Sequence, residues 1–297
     1  MASTRSDLSQ LAIVACHFNP CGYAAPIANW WRWRGHLPPD VLFCGVELSF
    51  DGRFHTDAEI RLRGTAANLC WQKEALLNVA IRSLPRRIRY VAWIDADILF
   101  EDAEWASQAV RMLRDEAPLV QLFSQIQFQG ADRATILHTM SSAIARLSAG
   151  EDPNKGSPGG AWAARRDCLA SGLYWGCIVG TSDAAFLQGA LGLFRGSLYQ
   201  RCFQAPMVRD WLRWAARFHP AVRGRIGRLP GTVTHLHHGD RKNRQYGVRY
   251  QILNEDRYDP ERHVQLNAEG VVELTPEAPA RMRRRLQAYF EGRREDE

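Results

Sequence analysis

The stretch Arg89–Phe100, RYVAWIDADILF, decides the fold. Its apolar run reads as a buried strand, and the run breaks at two acids, Asp95 and Asp97. The same pattern recurs on either side. Leu11–Cys16 (LAIVAC) is a short apolar run ending in the polar His17, Asn19 and Pro20, and Val41–Leu48 (VLFCGVEL) is another. Within Thr65–Ser83, Leu69, Leu76, Leu77, Ala80 and Ile81 recur at helical spacing, with Thr65 or Asn68 available as the cap. Asp102–Glu116 predicts an amphipathic helix and Leu119–Phe128 a fourth strand. This alternation predicts an α/β fold, an open sheet with helices on both faces.

The second half is less regular. Glu151–Gly160 (EDPNKGSPGG) is dense in Pro, Gly and polar residues and reads as a loop, a candidate seam between two lobes. A helix is expected just after Asp183, and a tryptophan-rich one over Ala205–Phe218. Thr232–His238 (TVTHLHH) reads as a strand running into a very polar segment. Thr275 before Pro276 marks a helix start, continued by RMRRRLQAYFEGRRE. There Met282, Leu286, Tyr289 and Phe290 form an apolar face opposite the arginines. Such a helix packs on the body of the protein or touches an anionic membrane surface.

Composition excludes several classes. With 46% hydrophobic and 10% aromatic residues in 297, the chain is neither disordered nor collagen-like. No apolar stretch approaches the length needed to span a bilayer. Met1–Gln10 lacks the basic start and apolar run of a signal peptide, so a cytoplasmic protein is expected. The seven cysteines (16, 21, 44, 70, 168, 177 and 202) are scattered without C-x-x-C, and read as reduced rather than as a disulfide or zinc framework. A net charge of +6 favours anionic partners. Nucleic acid is not favoured among them, because aromatic residues are not interleaved with the basic ones.

Three clusters carry candidate chemistry. Asp95 and Asp97 sit at i and i+2 of a strand end, so both carboxylates can converge on one cation beyond the sheet edge. Their hard oxygens suit Mg²⁺ or Mn²⁺, which keep positions open for diphosphate oxygens; the plain alternative is a solvated turn. Thr234–Gly239 (THLHHG) holds three of the nine histidines. His235 and His237 share a face if the strand continues, whereas His235 and His238 meet if the chain turns at Gly239. Arg241, Lys242 and Arg244 follow as cations for a diphosphate, or as a solvated basic loop. Finally, Gly159-Gly160-Ala161, Tyr174-Trp175-Gly176 and Gly180-Thr181-Ser182-Asp183 suit a flat polar ligand such as a sugar, with Gly160, Trp175 and Gly180 against it. Asp183 is then a working carboxylate or a helix cap.

The order of these motifs resembles that of the GT-A glycosyltransferases. The residues that carry it are Phe18-Asn19-Pro20, Asn68 and Lys73 ahead of Leu76-Leu77-Asn78, Ile94-Asp95-Ala96-Asp97, the glycine and Tyr174-Trp175-Gly176 segments with Asp183, and His235-x-x-His238-Gly239 with its basic sequel. It looks most like the β-1,4 galactosyltransferase type and family-2-like sugar transferases, over roughly residues 11 to 250. The resemblance implies a GT-A, Rossmann-like open mixed sheet in one domain, 1–297. Its parts would be a nucleotide-sugar half at 11–130, an acceptor and metal-completing half at 151–250, and a basic helix at 275–297. It implies Asp97, His238 and His235 as ligands of Mn²⁺ or Mg²⁺, and Asp95 facing the nucleotide. It further implies Phe18, Asn19 and Pro20 around uridine and ribose, with Asn68 and Lys73 on the helix that reaches the nucleotide. Asp183 would take the acceptor hydroxyl's proton in an inverting transfer from a nucleotide-diphosphate sugar, UDP-linked by preference. The acceptor would be a glycan, a lipid-linked species or a protein. The family's acidic cluster is Gly180-Thr181-Ser182 here, which implies a different acceptor. Without the anchor, signal and disulfides of animal members, the enzyme is expected on the cytoplasmic side, peripheral to the membrane at most. A metal-dependent phosphohydrolase is the rival, but it wants more carboxylates, bridging two metals, than these strand ends offer.

Overall fold

The computed structural model describes residues 8–195 and 203–297. The first half runs β1 (Leu11–Phe18), α1 (Ala24–Arg34), β2 (Leu42–Ser49), β3 (Ile60–Arg63), α2 (Lys73–Ser83), β4 (Tyr90–Ile94), β5 (Ile98–Phe100) and α3 (Trp105–Asp115). Then come β6 (Leu119–Gln121), β7 (Gln125–Gln129), β8 (Ile136–Ser141), α4 (Ala143–Ser148), β9 (Ala161–Arg165), α5 (Ser182–Leu191) and α6 (Ala205–Val222). The chain ends with β10 (Ile226–Arg228), β11 (Thr232–His235), α7 (Gln251–Glu255), α8 (Pro260–His263), β12 (Val264–Leu266), β13 (Val272–Leu274) and α9 (Ala280–Glu291).

Seven strands form one mixed sheet in the order β10-β6-β9-β4-β1-β2-β3, in which β9 runs antiparallel to both neighbours. The apolar run of β1 has no polar alternation because both of its faces are covered. Ala12 and Val14 point into one core layer with Leu76, Leu77, Ala80 and Ile81 of α2. Leu11, Ile13 and Ala15 point into the other, with Trp30 and Trp33 of α1 and Ala106, Ala109, Val110 and Leu113 of α3. The expected open α/β sheet flanked by helices is therefore the one observed. Beyond β1 the chain goes outward to β2 and β3, then returns to the far side of β1 as β4. The carboxyl ends of β1 and β4 thus flank a switch in strand order, where open sheets leave a crevice.

A second sheet, β5-β11-β7-β8, caps this edge. It arises because two apolar runs divide where single strands were expected. Arg89–Phe100 leaves the main sheet at Asp95 and resumes as β5, paired antiparallel with β11. Leu119–Phe128 likewise splits into β6 in the main sheet and β7 in the second. Other boundaries move too. Thr65 caps only a short 3-10 turn at Ala66–Asn68, in reciprocal bonds with Asn68, and α2 starts at Lys73. Thr275 does not start the last helix, which begins at Ala280, after Pro279. Its apolar face, Met282, Leu286, Tyr289 and Phe290, is buried in the core, while Arg281 and Arg285 pair with Asp256 and Glu255. Six of the seven cysteines are free thiols, and Cys202 lies outside the described residues. Among the described residues no helix is long and apolar enough to cross a membrane.

Candidate active site

A cavity of ≈ 620 Å³ opens at the carboxyl ends of β1 and β4. The break after β4 makes its floor. The Asp95 amide donates to the Gly160 carbonyl (2.8 Å), and Asp97 closes onto β11 through its own carbonyl, which accepts from Leu236 N (2.7 Å). Register does the rest: His235 lies opposite Ile98, one residue from Asp97. β11 ends at His235, so the chain turns and His238, not His237, comes back to the cluster. Asp97, His235 and His238 each offer one ligand atom, all within 4.8 Å of one another. His237 faces away and contacts the Glu297 carbonyl at 2.9 Å.

The donor chemistry fits a divalent cation. Asp97 Oδ2 lies 2.7 Å from His238 Nε2 and 3.6 Å from His235 Nε2. These spacings bracket the about 3 Å that neighbouring ligands of one octahedral ion keep. His238 Nδ1 is 3.0 Å from Glu295 Oε1, an acceptor, so that nitrogen carries the proton. Nε2 then turns a lone pair on the Asp97 oxygen, a contact that only a cation or a second proton makes favourable. Asp97 Oδ1 is buried without a partner. Burial pushes the Asp97 carboxyl up, but His235, His238 and Arg244 outweigh it and hold the group well below the ordinary range. Burial pulls His235 down to about 3, leaving it a neutral ligand at pH 7.

Beside this cluster lies a carboxylate–ammonium–carboxylate bridge. Lys73 Nζ, at the start of α2, is 2.6 Å from Asp95 and 3.0 Å from Asp183. Burial and the neighbouring Asp183 and Asp97 raise the Asp95 carboxyl to about 7, against the lowering pull of Lys73. Asp183 is not a helix cap. It falls inside the first turn of α5, which has Thr181 as its N-cap residue, and a third of its side chain (33%) is open to the cavity. Gly159 lets this carboxylate lie close to the backbone, since an added Cβ would sit 2.6 Å from Asp183 Oδ2 and push the side chain aside.

Of the residues singled out in the sequence, Phe18, Asn19, Pro20, Lys73, Asp95, Asp97, Gly160, Asp183, His235, His238, Arg241 and Arg244 all line the cavity. Four do not. Asn68 is buried, with its amide spent on the Thr65 and Val272 backbone. Lys242 is 79% exposed and paired with Asp240. Trp175 is partly buried against the core, and Gly180 abuts Arg249 from outside the lining. Asn19 and Lys73 also differ in kind from the expectation. The Asn19 amide closes its own loop on Tyr23, and the Lys73 charge is taken up by the two aspartates.

Sequence reasoning missed the opposite wall. After α9 the tail turns into the cavity, bringing Arg293 and Glu295, both 8% exposed. Arg293 Nε donates to Glu295 Oε1 (2.9 Å), the oxygen that also holds His238. Asp296 clamps the tail by accepting from the first amides of α1, Ala24 N (3.0 Å) and Ala25 N (2.7 Å). Gly239, at φ +78°, makes room, since an added Cβ would lie 2.7 Å from the Arg294 carbonyl. Arg249 and Tyr246 complete the wall. A glycine after the histidines was the one visible signal of this crossing.

No protein-family model matches the chain, and no curated protein sequence matches it. Solved structures do. Glucosyl-3-phosphoglycerate synthase from Mycobacterium tuberculosis, with Mn²⁺, UDP-glucose and phosphoglyceric acid, is 13% identical over 92% of this chain and 89% of that one, at TM-score 0.42. Drosophila β-1,4-galactosyltransferase 7, with manganese, UDP-Gal and xylobiose, is 13% identical over 80% and 74%, at TM-score 0.36. The 4-diphosphocytidyl-2C-methyl-D-erythritol synthase of Anaerococcus prevotii is 8% identical over 77% and 89%, at TM-score 0.35. Similarity at this level extends to neither residues nor activity.

Proposed function

We propose that the chain is a metal-dependent glycosyltransferase that moves a hexose from a nucleotide-diphosphate sugar, UDP-linked by preference, to an acceptor hydroxyl. The observation that carries the reading is the cluster of Asp97, His235 and His238 in one cavity with Asp183. Asp97 and the two imidazoles would hold Mn²⁺, a better match than Mg²⁺ for a set with two nitrogens. When bound, the ion supplies charge neutralisation for the departing diphosphate. Arg244, buried 3.4 Å from His235, and Arg241 at the rim add positive charge on the same side. The loop Phe18-Asn19-Pro20 would take the nucleoside. It also borders a second hollow of ≈ 220 Å³ against the end of β2, lined by Glu47, Asp51 and His55.

Asp183 would act as general base on the acceptor hydroxyl, with inversion at the anomeric carbon. Lys73 holds its carboxylate in place. The donor and metal parts map to the β1–β4 edge (11–130), and the base with the completing histidines to 151–250. These parts and the tail act as one domain over 1–297. A glycan, a lipid-linked molecule or a protein each remains compatible as the acceptor's body. A phosphohydrolase is disfavoured because, among the described residues, one three-ligand group is present and no carboxylate bridges to a second.

The test is thermal stability with UDP, GDP, TDP and CMP, each with and without Mn²⁺. A nucleotide at 100 times its Kd stabilises by about 2.7 kcal/mol. One diphosphate should act, only with Mn²⁺, and Asp97→Ala should abolish its effect while the protein still melts cooperatively. Equal shifts in Asp97→Ala, or none with any nucleotide, would remove the assignment.

A further inference from the structure

Arg249 lines the cavity but has no part in the scheme above. It is 7% exposed and wedged between two rings, its Cζ 4.9 Å from the Tyr246 centroid and 5.9 Å from that of Trp71. Its only oxygen partners among the described residues are hydroxyls, Tyr289 Oη at 3.2 Å and Thr181 Oγ1 at 3.4 Å, and its buried Nε has none. Arg293 in the same wall has Glu295; Arg249 has no carboxylate among the described residues. A guanidinium removed from water without an anion is costly, so the position makes sense when a ligand supplies the charge.

The neighbourhood indicates which ligand. Arg244 stands by the metal ligands, 3.4 Å from His235. Arg249 stands one ring further, across Tyr246, on Thr181 and against Gly180, where an added Cβ would come 2.9 Å from its Cζ. These residues lead into α5, whose first turn (Thr181, Asp183, Ala184) lines the cavity and has no side-chain cap. The positive end of that helix therefore faces the same space as the guanidinium. The carboxylate of Asp183 would repel an anion there, but Lys73 at 3.0 Å offsets its charge.

We propose that Arg249 and the first turn of α5 form a subsite for a phosphate or carboxylate carried by the acceptor, beside the hydroxyl that Asp183 deprotonates. The acceptor is then an anionic hydroxy compound rather than a neutral sugar. This rests on the transferase reading, and it differs from a second contact to the donor's diphosphate.

Inorganic phosphate is the probe, titrated at constant ionic strength into protein saturated with UDP and Mn²⁺, with melting temperature and calorimetric heat as readouts. Phosphate should bind on top of UDP. Arg249→Met should weaken it at least about tenfold, the loss expected for a charge-assisted contact, with UDP affinity within about threefold of wild type. Arg249→Lys, which keeps the charge but not the fork, should fold even where Met does not and fall between the two. Absence of phosphate binding to the UDP-loaded protein, phosphate competing with UDP, or loss of UDP affinity in Arg249→Met would each overturn the subsite. If no nucleotide binds at all, the transferase reading falls separately. Phosphate binding to the free protein that Arg249→Met abolishes would still support the subsite, and its absence would end that too.

Discussion

The two walls of the cavity differ in sign and in construction. The wall at the sheet edge carries Asp95, Asp97 and Asp183, with Glu74 behind them, around one lysine. It is assembled from the ends of β4 and β11 and the starts of α2 and α5. The facing wall carries Arg241, Arg244, Arg249 and Arg293 around one glutamate. It comes from the segment after His238 and from the last residues of the chain. A cation belongs among the acids of the first and an anion against the arginines of the second, with Arg249 reaching the start of α5 where the walls meet; that is the polarity of a metal ion with a diphosphate. One wall follows from regular elements meeting at a strand switch; the other depends on single side chains meeting across long stretches of sequence.

Of the ties between the walls, Glu295 to His238 is the one made by a carboxylate to a candidate metal ligand, so breaking it should have the largest effect. A carboxylate behind a metal-binding imidazole fixes its tautomer and raises its basicity, and its loss costs roughly 10–100-fold in metal affinity. Glu295→Gln should therefore weaken Mn²⁺ by that factor in a calorimetric titration, with the fold intact by circular dichroism. Unchanged affinity would mean that the sheet edge builds the metal site alone and that the tail merely covers it.

How far each wall could be read follows from the same difference. The apolar run before Asp95 and Asp97 puts the acids at a strand end, and the structure agrees, but β4 stops at Ile94 and the two carboxylates do not converge on one cation: Asp95 turns to Lys73 and Asp97 to the histidines. The histidines were ambiguous because the answer depends on where β11 stops, which pairing with β5 and β7 decides and local pattern does not. The resemblance alone places Lys73 by the nucleotide, and nothing local announces that residues 22 and 110 positions later share its charge. Glu295 is one acid in an arginine-rich tail with no period of its own, so composition described a basic helix and hid the residue that matters. Arg249 lies in a segment without strand or helix signal, and only its burial against Trp71 and Tyr246 marks it.

The crossing of the tail can be probed through glycine. Gly239 (φ +78°) and Gly150 (φ +76°) share a positive φ, and of the two only Gly239 has a neighbour in the way of a Cβ. The left-handed conformation alone costs a non-glycine residue about 1–2 kcal/mol, so both alanine variants should lose that much. Gly239→Ala should lose more, melting at least about 2–4 °C below Gly150→Ala for each further kcal/mol, and should weaken Mn²⁺ as well. Equal melting temperatures would show that the tail gives way freely, and the tie between the walls would then be slack.

The smallest effect tests the charge surplus of the acid wall. Glu74 is 5% exposed, and burial raises its carboxyl to about 8; Lys73 lowers it and Asp183 adds to the rise. The unfolded chain releases this proton near pH 4.5, and the folded chain holds it until about pH 8. Between those values the folded state binds more protons, so stability falls as pH rises through the window. Glu74→Gln removes the penalty, because the amide carries no charge to desolvate. Its melting temperature should match wild type near pH 5 and pull ahead by a few degrees at pH 8.5, about 1–2 kcal/mol on the usual scale. Parallel melting curves across that range would mean that Glu74 ionises as readily in the folded chain as in the unfolded one, with Lys73 offsetting its burial. The acid wall would then carry one more negative charge before any cation arrives, and the opposition of charge between the two walls would be the sharper for it.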